Sequence, residues 1–373
     1  MPESHVTRRN ALRRELRAAD LDALFVIDLR NIRYLTGFTG SNAVLVVAAA
    51  DEPGHESGTV LCTDGRYLTQ SAQQVPELER IIDRGSDSAL IARMSADLAA
   101  GKGGYRRTGY ESHHVTVDQL DLLTESGPGI DLVRAPDLVE RLRLVKDETE
   151  VHALRMACGA ADQALDDLIA VGGLRAGRTE RDVARDLEGR MLDHGAAAVA
   201  FESIVAFGAN SAIPHHRPTD AELRSGDLIK LDFGALVEGY HSDMTRTLVL
   251  GEPADWQREI YDLVALSQAA GRAALAPGTD VRDVDAAARK VIEDAGYGDQ
   301  FLHGLGHGVG LEIHEAPALS KTGDGRLSPG MAVTVEPGVY LAGCGGVRIE
   351  DTLVVRAAAP ELLTLTTKEL VVV

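Results

Sequence analysis

Apolar and polar positions change their rhythm along the chain. Thr7–Asp20 carries Leu12 and Leu16 one helical turn apart in a charged background, which predicts an amphipathic helix. Ala23–Asp28, Asn42–Ala49 and Thr59–Thr63 are short apolar runs of strand length, the last closed by an Asp64-Gly65 turn. Helical patterns at Tyr67–Gln74, Ser88–Ala100 and Val117–Thr124 then alternate with short strands near Arg80–Ile82, Thr108–Tyr110 and Asp131–Val133. This alternation predicts an α/β layer domain over residues 1–135. Residues 136–146 read as a linker or short helix, and a second domain is expected over 147–373.

The second domain opens on a strong helix start. Asp147 is a good N-cap, Glu148 and Glu150 fall in the first turn, and the helix runs to about Val171. Thr179 opens another helix that ends at Gly195. Past residue 200, short strands dominate: Ser203–Phe207, Asp227–Ala235, His241–Leu250, Met331–Val335 and Val347–Val355. Helices at Ala254–Ala276 and Val281–Ala295 interrupt them, giving an α+β domain.

The parity of these strands carries the chemistry. In LIKLDFG, Leu231 and Phe233 point one way while Lys230 and Asp232 point the other. In HSDMTRT, Asp243 shares a face with Thr245 and Thr247, and antiparallel pairing of the two strands would bring both aspartates to one pocket. Glu336 in VTVEPG lies opposite Val333 and Val335, and Glu350 in GVRIEDT shares the face of Arg348. Taken singly, each is a surface acid on a half-exposed strand. Taken together they converge, and desolvated like charges need positive compensation.

Charge and cysteine usage narrow the partners. With 38 Lys and Arg against 57 Asp and Glu the net charge is −19, unfavourable for nucleic acid or anionic membranes. Cys62, Cys158 and Cys344 are scattered and odd in number, which reads as buried free thiols in a reducing compartment. The opening MPESHVTRRNALRRELRAAD has no apolar core of a secretory signal, and the longest apolar run, Ala43–Ala50, is of strand length. A cytoplasmic protein without a membrane partner is expected.

The compensation is best supplied by metal. HGLGHGVGLEIHE contributes His303, His307 and His314, and a neutral imidazole is a common ligand. Four carboxylates and one histidine make an oxygen-rich set suited to Mn²⁺, with Zn²⁺, Co²⁺ or Fe²⁺ as alternatives. Four negative charges match two dications, and a pair of divalent ions is a standard hydrolytic device. Competing motifs fail. Val309 stands where GxGxxG needs glycine, no GK[ST] follows, Gly304 replaces the glutamate of HExxH, and there is no GxSxG.

The ordered set IPHH, KLDFG, YHSDMTRT, HGLGHGVGLEIHE, TVEPGVY and GVRIEDT resembles the pita-bread metallopeptidases, which include aminopeptidase P, prolidase, methionine aminopeptidase and the non-metal enzyme creatinase. The resemblance spans about residues 146–373. NIRYLTGFTGSNA and TDGRYLTQSA are similar to the creatinase-type N-terminal domain, which methionine aminopeptidase lacks. The resemblance implies Asp232, Asp243, His307, Glu336 and Glu350 as ligands of two ions, with Asp243 and Glu350 bridging. It implies His215, His303 and His314 as substrate-binding and proton-handling residues, and Tyr340 and Arg348 as their support. His216 receives no role.

The activity so implied is a Xaa-Pro aminopeptidase. A hydroxide bridging the two ions attacks the carbonyl before proline, and Glu336 takes the proton. Prolidase, acting on Xaa-Pro dipeptides, is the alternative. An inactive binding protein on the same fold, and a hydrolase or lyase of small non-peptide substrates, are further alternatives. A homodimer is implied by resemblance alone.

Overall fold

Continuous apolar runs of strand length form sheets buried on both faces. Three of them, Ala23–Val26, Ala43–Ala48 and Thr59–Thr63, are buried at every position and form the centre of the first unit, Met1–Arg143. The structure is a computed structural model that describes residues 2–50, 56–102 and 104–373.

Six strands make one mixed sheet in this unit. Ala23–Val26 pairs antiparallel with Ala43–Ala48, which pairs antiparallel with Thr59–Thr63, and Glu79–Ile82 follows in parallel. On the other side, Arg107–Tyr110 and Asp131–Arg134 continue the sheet in parallel. The helices Ser86–Ala99 and Val117–Ser126 bury Leu90, Ile91, Met94 and Leu123 in its core. The N-terminal helix, Pro2–Ala18, buries Leu12 and Leu16 as expected, together with Arg9 and Arg13, whose guanidiniums donate to the Leu35 and Ala48 carbonyls and to Glu56.

A helix the hydrophobic rhythm did not predict, Leu29–Thr36, takes in most of NIRYLTG. Asp28 caps it by accepting from Arg30 N–H, and Gly37 ends it in the left-handed region at φ 80°. The last helix of the unit, Leu138–Arg143, brings Arg143 to the Asn31 side chain at 2.8 Å.

The second unit, Leu144–Val373, contains two helix-covered sheet regions. Glu148–Ala170 starts with the full capping box at Asp147 and Glu150, and Glu180–Asp193 with Thr179 as its cap. Both pack on a three-stranded antiparallel sheet in which Leu228–Phe233 lies between Ile204–Phe207 and Met244–Val249. Asp255–Ala273 and Val281–Asp294 pack on a five-stranded sheet ordered Glu315–Leu319, Gly306–Gly308, Ala332–Val335, Asp351–Val354 and Glu361–Leu362.

Two expectations need correction. Val347–Val355 is not one strand: Gly345–Arg348 forms a hairpin with Gly338–Leu341, whereas Asp351–Val354 joins the five-stranded sheet, with Ile349 and Glu350 at the crossing. Cys344 is exposed rather than buried, while Cys62 and Cys158 are buried. No helix among the described residues is long and apolar enough to cross a membrane.

Candidate metal centre

Asp232 and Lys230 point to one side of the Leu228–Phe233 strand, and Asp232 pairs with Thr245 on one neighbour and Ile204 on the other. Asp243 immediately precedes the Met244–Val249 strand. Glu350 is stitched to that strand: its N–H donates to the Thr245 carbonyl, and Thr352 Oγ1 donates to the Asp243 carbonyl at 2.8 Å. Asp351 secures the other side of the crossing, accepting from Arg246, Thr364 and Gln268 while wholly buried. Of two adjacent acids, one faces the cavity and the other anchors it.

His307 stands in a strand hemmed in on both sides. A Cβ on Gly306 would lie 2.1 Å from the Thr334 carbonyl oxygen, and one on Gly308 would lie 2.2 Å from that of Ala316. The alternate glycines of HGLGHGVG therefore permit a close three-strand approach, not a phosphate cradle. His307 Nδ1 lies 3.0 Å from the Gly308 carbonyl, which only accepts, so Nδ1 carries the proton. Nε2 then faces Asp243 Oδ2 at 3.4 Å and Glu336 Oε1 at 3.5 Å.

The structure gathers Asp232, Asp243, His307, Glu336 and Glu350 around one cavity of about 520 Å³, with His215, His303, His314 and Arg348 also on its lining. Tyr340 lies behind this wall. Its hydroxyl receives Arg348 at 2.8 Å and reaches His303 Nε2 at 2.9 Å. His303 Nδ1 donates to the Gly304 carbonyl, and burial with Arg348 nearby pushes its pKa down to about 3, so the ring is neutral and Nε2 accepts from Tyr340. His314 is exposed on the lining, edge-on to His307 at 4.4 Å between ring centres.

Charge at the site is unbalanced without cations. Burial, with neighbouring carboxylates adding to it, pushes Asp243 up to about 6, Glu336 up to about 7, and Glu350 well above the ordinary range. Burial alone would lower His307, but Asp243 and Glu336 outweigh it and carry the imidazole to about 9. Arg348 is the one guanidinium paired with a carboxylate of this set among the described residues, and it is spent on Asp232, Thr245, Tyr340 and the Pro214 carbonyl.

A metal fits this set. Asp232 uses Oδ2 for Arg348 and Glu350 uses Oε2 for Thr245, while Asp232 Oδ1 and Glu350 Oε1 are buried with no partner. Orphaned buried carboxylate oxygens are costly unless a cation meets them. Asp243, His307 and Glu350 each offer a ligand atom within 4.8 Å of the others.

Three buried residues here were not legible as partners from the sequence. Lys230 Nζ donates to the Ile213 carbonyl at 2.6 Å and the Pro214 carbonyl at 3.3 Å; burial, then Arg348, pushes its pKa down to about 6. Glu180 accepts from Phe207 N–H, Asn210, Thr219 and His216. His216, left without a role by sequence, is buried and held by Glu180 at 2.8 Å. The parity of LIKLDFG was the one advance signal, since it put Lys230 on the face of Asp232.

Comparison with known proteins gives two family matches: metallopeptidase family M24 over residues 152–357, and the creatinase/prolidase N-terminal domain over residues 8–145. An uncharacterized peptidase of Bacillus subtilis is 39% identical over 352 residues, 94% of this chain and 96% of that protein. The structure of a Xaa-Pro dipeptidase from Bacillus anthracis superposes with a TM-score of 0.91 at 35% identity, covering 99% of this chain and 100% of that one. An X-Pro aminopeptidase from Thermotoga maritima superposes with a TM-score of 0.86 at 33% identity, covering 96% and 100%.

Proposed function

The chain belongs to metallopeptidase family M24, with the pita-bread fold and a creatinase-type N-terminal domain, and from that premise we propose that it hydrolyses the bond between an N-terminal residue and a following proline. The observation that carries this reading is the convergence of Asp232, Asp243, His307, Glu336 and Glu350 on one cavity, with two of their buried oxygens unpartnered. Two divalent ions held by these five residues, Mn²⁺ in first place, would supply positive charge that polarises a carbonyl and acidifies water near neutral pH.

The protein's own groups do the rest. Glu336, on the cavity wall beside His307, takes the proton of the attacking water at a carboxylate oxygen and delivers it to the departing proline nitrogen. That nitrogen has no hydrogen in a Xaa-Pro bond and must be protonated to leave. His303 spends Nδ1–H on Gly304 and Nε2 on Tyr340, so it shapes the wall and has no N–H for a developing oxyanion. His314 faces the cavity, and partial burial of the ring together with His307 holds its pKa below the usual value, so a neutral ring supplies that N–H. His215, also exposed on the lining, contacts the substrate.

His314→Ala is expected to lower kcat by about 10²-fold, the usual loss for an oxyanion donor. Metal content by mass spectrometry stays at the wild-type level; loss of metal would make His314 a ligand and overturn this role.

Substrate length is the finer choice. The N-terminal motifs put the aminopeptidase first. A zwitterionic dipeptide is favoured by Arg217, an exposed guanidinium on the cavity lining beside Glu202, because Arg348 has no free nitrogen for a carboxylate. The close likeness to a Xaa-Pro dipeptidase points the same way. Metal-loaded protein given Ala-Pro, Ala-Pro-amide and Ala-Pro-Ala is expected to turn over Ala-Pro fastest. Cleavage of the tripeptide alone would establish the aminopeptidase, and cleavage of none would reject the reading.

A further inference from the structure

His215 reaches the cavity without a hydrogen bond of its own among the described residues, so the backbone that carries it sets its position. That backbone is gripped from beneath. Lys230, wholly buried, donates to the carbonyls of Ile213 and Pro214, and Arg348 adds a donor to Pro214 at 3.3 Å. Past His215, the segment is tied down by His216 and Thr219 to Glu180. Ile213 and His215 are themselves exposed, so side-chain packing does little to locate the turn between these two anchors.

Lys230 is an expensive way to fill this space. Among the described residues it has no ion pair, and its Nζ stands 5.1 Å over the Tyr340 ring. A buried amine without a counter-ion costs stability that a methionine of similar volume would not. What a methionine would not supply is the pair of N–H bonds to the arm that bears His215.

We propose that Lys230 is a positioning residue for substrate binding, fixing His215 in the cavity through the carbonyls of Ile213 and Pro214. This rests on the Xaa-Pro peptidase reading, in which His215 touches the substrate. Such a residue shows itself in KM more than in kcat, and only while His215 is present.

The test is a double-mutant cycle on metal-loaded, full-length protein with Ala-Pro: wild type, Lys230→Met, His215→Ala and the double variant. Lys230→Met is expected to raise KM about tenfold with kcat changed less than about threefold, in the range that a small misplacement of a binding group produces. Metal content and melting temperature stay at or above wild type. In the His215→Ala background, Lys230→Met leaves KM unchanged. Multiplicative effects of the two substitutions, or an unchanged KM in folded Lys230→Met, would overturn the proposal. Should Lys230→Met fail to fold, Lys230→Leu, which is shorter and has no donor for the two carbonyls, takes its place in the cycle: a KM effect that vanishes without His215 supports the positioning role, and one that persists or never arises overturns it. A wild type inert towards every Xaa-Pro peptide would reject the parent reading instead.

Discussion

Asp243→Asn abolishes turnover, by at least about 10³-fold, and strips the protein of metal. The carboxylate is buried, its Oδ2 faces His307 Nε2 at 3.4 Å, and it shares ligand distance with His307 and Glu350. An amide at this position removes a negative charge and turns N–H donors towards the place a cation would occupy, where only lone pairs are useful. The effect on stability has a sign that separates this account from simple misfolding. In metal-free protein, Asp243 is one of three acids, with Glu336 and Glu350, that burial and mutual repulsion hold towards their protonated forms. Neutralising it therefore raises the melting temperature of the chelated variant above that of chelated wild type at pH 8, while the gain on adding Mn²⁺ disappears. Near-wild-type turnover together with full metal content would refute the ligand assignment. A variant that melts early with and without metal would mean that Asp243 serves the fold.

How far the sequence reached depends on the range of the contacts involved. Period-two alternation placed Asp232 and Lys230 on one face of LIKLDFG, because side chains of a strand leave no other choice. Asp147, Thr179 and their acidic first turns fixed two helix starts, because capping is local. Leu29–Thr36 was missed because eight residues show barely two turns of rhythm, although Asp28 and Gly37 were its start and stop signals. The break at Glu350 had one local mark, the charge of Asp351 at the parity of Val347 and Ile349, but its cause is distant: the chain changes sheets there because Arg246 and Gln268 draw Asp351 the other way. Glu180 and Lys230 were silent for the same reason: their partners Thr219 and Ile213 lie far away in sequence, and only the fold brings them within 3 Å. The glycines around His307 were visible as an alternation, but the carbonyls that forbid a Cβ belong to two other strands.

Metal removal should make stability strongly dependent on pH, in a direction opposite to that of ordinary salt-bridged carboxylates. Unfolded Asp and Glu titrate near pH 4, whereas the folded, metal-free protein holds Asp243 to about 6 and Glu336 to about 7. Between those limits folding takes up protons, so stability falls as pH rises. His307 acts in the same sense. Raised to about 9, it contributes stability that is whole below its unfolded value near 6.5 and is lost as pH climbs through 9. Cations reverse the penalty by binding the deprotonated carboxylates, and their affinity rises with pH as those protons leave. The expected result is a melting temperature of chelated protein that drops by more than about 5 °C from pH 5 to pH 8.5, a few kcal/mol for a domain of this size. The separation between Mn²⁺-loaded and chelated samples widens over the same interval. Glu111 in the first unit, pushed up to about 7 by burial, adds a fall of the same sign, but it lies outside the metal centre and cancels when loaded and chelated samples are compared. Scanning calorimetry at four pH values with and without Mn²⁺ measures the difference directly. A separation that stays constant or narrows towards pH 8.5 would mean that these carboxylates and His307 do not share their charge with a cation.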